Sequence, residues 1–200
     1  MRRRARKNKT PAARGVRDIL HPRDAMIPHT PELKHYDSNS SGYIAGVTYA
    51  GTIVSVSAIA QGTAANQRTG DSIAIRGIDF KINCFQQGTS TGLRFILFAW
   101  NVSTGLAAPG ISNILQGAGV TPMAIVAPYD ADSTEQGRLD IIDDIYLPCG
   151  ASPSVARAVV QRKLKLPVNF DAGATTGAGT LRLLTVSDAA LAGNSPQHLS

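Results

Sequence analysis

The sequence predicts an all-β protein of two packed sheets, and three observations carry that reading. The first is a set of segments in which apolar residues alternate, as in a strand with one buried face: Ile78, Phe80, Ile82 and Cys84 in one, Leu164, Leu166, Val168 and Phe170 in another. The second is the run 93–100, apolar on both faces except at Arg94, which needs cover on both sides from a second sheet or a neighbouring subunit. The third is composition: 19 Gly and 11 Pro with 6% aromatic and 17% charged residues suit many short strands joined by turns. At 200 residues, with no linker-like break in the strand-rich part, one domain with a two-layer core is expected.

Charge divides the chain. Residues 1–24 hold nine Lys/Arg against Asp18 and Asp24, net +7, whereas residues 25–200 hold eleven against twelve Asp/Glu, net −1. A cationic arm on a near-neutral body binds polyanions; a solubilising or nuclear-targeting tail is the alternative. The candidate nucleic-acid-binding residues are Arg2, Arg3, Arg4, Arg6, Lys7, Lys9, Arg14 and Arg17. Thr10-Pro11 is a helix start, with Thr as N-cap and Pro at the first helical position. Ala12, Val16, Ile19 and Leu20 then form one apolar stripe, which Pro22 ends. So short a helix, weakened by Gly15, needs a partner. The expected organisation is a basic arm with a short helix over 1–24, a connector over 25–42 with Pro28, Pro31 and Asp37-Ser-Asn-Ser-Ser-Gly42, and a strand-rich body over 43–200.

Along the body, residues 43–60 are strand-like, with breaks at Gly46 and Gly51. A polar loop follows to Asp71, in which Arg68 is either an interface anchor or a turn residue. Residues 72–85 form a long strand whose apolar phase slips: Ile73 and Ile75 are odd, Ile78, Phe80, Ile82 and Cys84 even. One extra residue at Gly77, a β-bulge of the kind that in some cases takes positive φ, keeps both halves facing one core. Gly88-Thr-Ser-Thr-Gly92 reads as a hairpin loop, and Pro109 with Ile111, Ile114, Leu115 and Gly117 as a short helix. A short strand is expected at 124–127, an acidic loop at 129–136, and a strand at 139–147 interrupted by Asp143-Asp144. Residues 154–161 are ambiguous between helix and strand, 162–170 alternate, 173–179 read as a flexible loop, 181–186 as the last strand, and 189–200 as a weakly structured tail.

Catalytic chemistry is not expected. Gly88-Thr-Ser90-Thr-Gly92 matches the nucleophile pattern G-x-S-x-G, but that motif needs a strand-to-helix elbow and a strand follows here. His21, His29, His35 and His198 lie in the arm, connector or tail, leaving no body strand with the usual general base. Cys84 and Cys149 read as buried thiols, too few for a disulfide scaffold or a zinc site. No cofactor is expected. Asp130, Asp132, Glu135, Asp143 and Asp144 offer oxygen ligands for Ca²⁺, but without EF-hand spacing they read as a solvated loop and a strand edge. For Arg157, Arg162, Lys163 and Lys165 two readings stand open: a nucleic-acid contact or the solvated side of an ordinary strand. Neither a signal peptide nor a membrane span is expected.

Taken in order, the basic arm, the helix at 12–20, Ala60-Gln-Gly62, Asn66-Gln-Arg-Thr-Gly-Asp71, the long strand, Arg94-Phe-Ile-Leu-Phe98, the segment at 111–116, residues 140–147, Lys163-Leu164 with Val168-Asn-Phe170, and 183–188 resemble the coat proteins of satellite tobacco necrosis virus and its relatives, including coats of small circular single-stranded DNA viruses. The resemblance implies an eight-stranded jelly-roll β-sandwich and a virion protein. It also implies sixty copies in a T=1 icosahedral capsid, and inward arms on a single-stranded RNA or DNA genome, with assembly in the host cell interior, the nucleus for a DNA virus. Calcium between subunits is a further implication, for which the sequence places no ligands. A cellular nucleic-acid-binding β-barrel protein with a basic tail is the rival; it would display stacking aromatics on an exposed sheet.

Overall fold

The computed structural model describes residues 33–37, 40–44, 47–86, 92–102, 109–117, 125–130, 138–148, 154–188 and 197–199. The arm residues and the helix expected at 12–20 lie outside these, as does Cys149. The chain divides into units Met1–Leu33 and Lys34–Ser200, and every described strand belongs to the second.

Nine strands run in order: β1 (Ser40–Ile44), β2 (Thr52–Ser55), β3 (Ser72–Gln86), β4 (Gly92–Trp100), β5 (Leu139–Pro148), β6 (Ser154–Phe170), β7 (Gly177–Ala178), β8 (Thr180–Ser187) and β9 (Gln197–Leu199). They make two antiparallel sheets, β1-β9-β3-β6-β7 and β2-β8-β4-β5. With the two-residue β7 set aside, two four-stranded sheets exchange the chain at most connections, which is the wrapped order of a jelly roll. The alternation of β3 and β6 decides which faces meet. Ile82 and Cys84 pack across the sandwich on Leu93, Phe95, Leu97 and Leu183. Ile73, Ile75 and Leu166 close one end with Ile59, Val168 and Phe170.

All nine residues of β4 are buried. Its second face, Ile96, Phe98 and Trp100, is covered by Val102, Ile114, Leu115 and Ala127. These come from the connection between β4 and β5, so the cover belongs to the same chain and not to a neighbour. Each such side chain withdrawn from water contributes about 1.5–3 kcal/mol. That is reason enough for a long connection to lie flat against the sheet. Its described residues include a 3-10 turn, Ile111–Asn113, in place of the expected helix. Residues 125–126 are also a 3-10 turn and not a strand, and Tyr129 bridges back to Leu115.

Several further expectations are corrected. β1 begins inside the expected connector, and β9 shows that the tail ends in a strand between β1 and β3, which puts His198 opposite Asn83. The connection across 87–91 joins strands of different sheets, so it is not a hairpin. Residues 154–161 are strand, continuous with the rest of β6. β5 runs unbroken through Asp143-Asp144, with a register shift between its partners Leu97 and Phe98. The phase slip in β3 is present, but Ile75 faces Leu166 while Gly77 faces Lys163, so the extra residue is on β6. Gly77 does not have positive φ. What it needs is room, since a Cβ there would sit 3.2 Å from the Arg162 carbonyl oxygen.

The expected flexible loop at 173–179 is instead tightly built. Gly179 has φ +87°, and a Cβ on it would run into the Pro167 carbonyl oxygen. Gly179→Ala should therefore lower folding stability by at least about 2 kcal/mol. Gly70→Ala, with no atom within 4 Å of the added carbon, should be near neutral. Urea unfolding of the two variants checks the contrast.

Candidate nucleic-acid interface

Two buried arginines give the body its shape. Arg68, in the polar loop before β3, is 3% exposed. Its guanidinium donates to the Gly70 carbonyl, to Asp71 Oδ1 at 3.2 Å and to the Ala174 carbonyl at 2.7 Å, and it stacks 4.2 Å over the Phe170 ring. It ties the loop to the β7 end of the sandwich within one subunit, so neither an interface anchor nor a plain turn residue describes it.

Arg94 is the one polar residue on the strand buried on both faces. It donates to both carboxylate oxygens of Asp144 on β5, Nε to Oδ1 at 3.0 Å and Nη2 to Oδ2 at 2.7 Å. Nη1 donates to the Ala127 carbonyl at 2.6 Å. The Tyr129 hydroxyl donates to Asp144 Oδ2 at 2.5 Å. Burial alone pushes the Asp144 carboxyl up, but the bonds from Arg94 and Tyr129 outweigh it and hold it below its ordinary value. Hydrogen bonding to Asp144 raises Arg94. Burial, then Asp144, pushes the Tyr129 hydroxyl up to about 12. The Arg94–Asp144 pair stays charged, and the connection stays fastened, across the ordinary pH range.

The exposed face of β3 and β6 carries the cations. Arg157, Lys163 and Lys165 of β6 and Arg76 and Lys81 of β3 are all exposed. Arg157 stands opposite Asn83, Lys163 opposite Gly77, and Lys81 opposite Val159. Arg162 differs, for its guanidinium meets Asp143 at 2.9 Å. The alternation pattern points to the β6 cations but not to Arg76 and Lys81, which lie on opposite parities and share a face only because of the slip between them. Phe95 and Phe98 are buried and offer no stacking platform. The eight candidate arm residues lie outside the described residues. Among the described residues no group of three His, Cys, Asp or Glu is arranged to hold a metal ion. Asp143 and Asp144, two of the carboxylates considered for calcium, each face an arginine. No helix among the described residues is long and apolar enough to cross a membrane.

The family of satellite tobacco necrosis virus coat proteins matches residues 2–195. The chain belongs to this family. The capsid protein of Satellite tobacco necrosis virus 1 is 27% identical over 147 residues, 70% of each chain. As a viral coat protein it is a component of the virion, with a structural role, and the Arg94–Asp144 pair is part of what keeps its shell domain in one shape. Asp144→Asn in the coat protein should cost roughly 3 kcal/mol, the low end for breaking a buried pair, because Asp144 keeps some contact with water. A depressed carboxyl contributes stability that is present above its unfolded pKa and lost as pH falls through the folded value. The wild-type coat should therefore lose stability below about pH 4 more steeply than Asp144→Asn. Thermal unfolding against pH checks both statements.

Proposed function

We propose that this coat protein closes into a sixty-copy shell and packages single-stranded nucleic acid on inward-facing basic arms. The observation that carries the reading is the segregation of charge: net +7 in residues 1–24 and −1 in the rest. Sixty such arms supply on the order of 420 positive charges, which offset a similar number of phosphates through counterion release. Arginine dominates the first six residues, and its planar fork pairs phosphate oxygens two at a time. Phosphate contacts carry no direct sequence information, so such an arm accepts many sequences. The β-sandwich supplies the wall. Ile141 and Tyr146 of β5 stand 38% and 50% exposed on it, apolar surface suited to contact with other copies. The family's structural role favours no catalysis.

Deleting residues 2–23 should leave a folded body that retains far less nucleic acid after purification and shows a shallower salt dependence of binding. If the shortened chain binds a single-stranded oligonucleotide as tightly as the full chain at 0.15 M salt, with the same slope, the arm is not the packaging element. Light scattering of the full chain with nucleic acid should show closed particles; monomers or dimers alone would refute the shell.

A further inference from the structure

We propose that the outer face of the β3–β6 ribbon is a second polyanion-binding surface, which holds the phosphate backbone of the enclosed nucleic acid against the body. The inference rests on the reading that this coat encloses nucleic acid. It goes beyond the arm, because a body of net −1 gives no hint of such a surface from its total charge.

Three observations carry it. The first is that Arg76, Lys81, Arg157, Lys163 and Lys165 all stand exposed on one antiparallel ribbon, and none forms an ion pair with a described carboxylate. The second is spacing. From Arg157 to Lys165 the stripe runs about 26 Å along β6, at ~3.3 Å per residue. One strand of a base-paired, stacked stretch of the enclosed nucleic acid, with one phosphate per ~3.4 Å of axis, places about seven phosphates along it. The third is that several of the body's acids are already engaged. Asp144 holds Arg94, Asp143 meets Arg162, Asp140 accepts from Asn101, and Asp79, the carboxylate facing this ribbon, accepts from Gln161. Asp143 and Asp144 on a neighbouring copy therefore have little charge to offer five exposed cations, whereas a phosphodiester chain offers one unpaired charge per step.

The test uses the full chain. Lys81, Lys163 and Lys165 are changed together to Gln, and in a companion variant to Arg. Binding of a fluorescent oligo-dT is followed against salt. Removing three phosphate partners of a single strand should reduce the log–log salt slope by about 2 in the Gln variant, and the Arg variant should keep the wild-type slope. Full-chain particles are also crosslinked to their nucleic acid by ultraviolet light. Crosslinked peptides containing Lys81 or Lys163 support the surface; crosslinks confined to residues 1–24 overturn it. An unchanged slope in a folded Gln variant overturns it too, and if that variant also fails to assemble, the face is a contact between copies instead. Changing Arg2, Arg3 and Arg4 to Gln in the full chain tests the arm separately. A slope lowered by the ribbon changes but not by these would sink the arm reading and leave this one standing.

Discussion

The body depends on how the outer face of β4 is kept from water. Ile96, Phe98 and Trp100 are too apolar to be exposed, and no third sheet exists among the described residues to cover them. The chain solves this with the described parts of the connection between β4 and β5, whose Val102, Ile114, Leu115 and Ala127 cover that face from irregular backbone. Irregular backbone has no ladder of its own and must be fastened elsewhere. Arg94 does that: from the middle of an apolar face it reaches the Ala127 carbonyl while two-pronged pairing to Asp144 neutralises its charge. A guanidinium suits this place because it presents donors in several directions at once. The one charged residue in an otherwise apolar strand is thus the peg that lets the other face be apolar.

The same logic recurs at the far end of the sandwich. Arg68 is stacked on Phe170 and bonded across to the Ala174 carbonyl, so the polar loop before β3 and the glycine-rich turn after β6 become one closed end. Both pins hold connections, not strands. In a wrapped two-sheet fold most connections cross from one layer to the other, and their fit decides whether the layers stay in register.

Charge is arranged as deliberately as apolar surface. Asp143 and Asp144 on β5 face arginines from within the subunit, while Arg76 and Lys81 of β3 and Arg157, Lys163 and Lys165 of β6 are left to solvent. The slip between β3 and β6 has a part in this. It turns the inward phase of β3 from odd to even, and so turns Arg76 and Lys81 to the same outward side as Lys163 and Arg157. A regular ladder would bury one of the two.

How much of this was legible beforehand depends on the range of each force. Alternation reports one residue's burial at a time, so β3, β4, β6 and β8 were visible in the sequence, as was the phase slip, and the net charge of the arm is a sum that needs no fold. The sequence by itself therefore determined the strand-rich class, the double burial of β4 and the split between cationic arm and neutral body. It did not determine partners. That β4 is covered by its own chain, that β9 pairs with β3 although it is three residues long, that the extra residue of the slip sits on β6, and that Asp143 and Asp144 face two different arginines are all matters of which segments meet. Arg94 and Asp144 are 50 positions apart, Ile82 and its β9 partner Leu199 more than 100, and no local pattern encodes such pairings. Only the tertiary structure decided them, because a buried polar group can bond only to the segments that the closed sandwich brings within its reach.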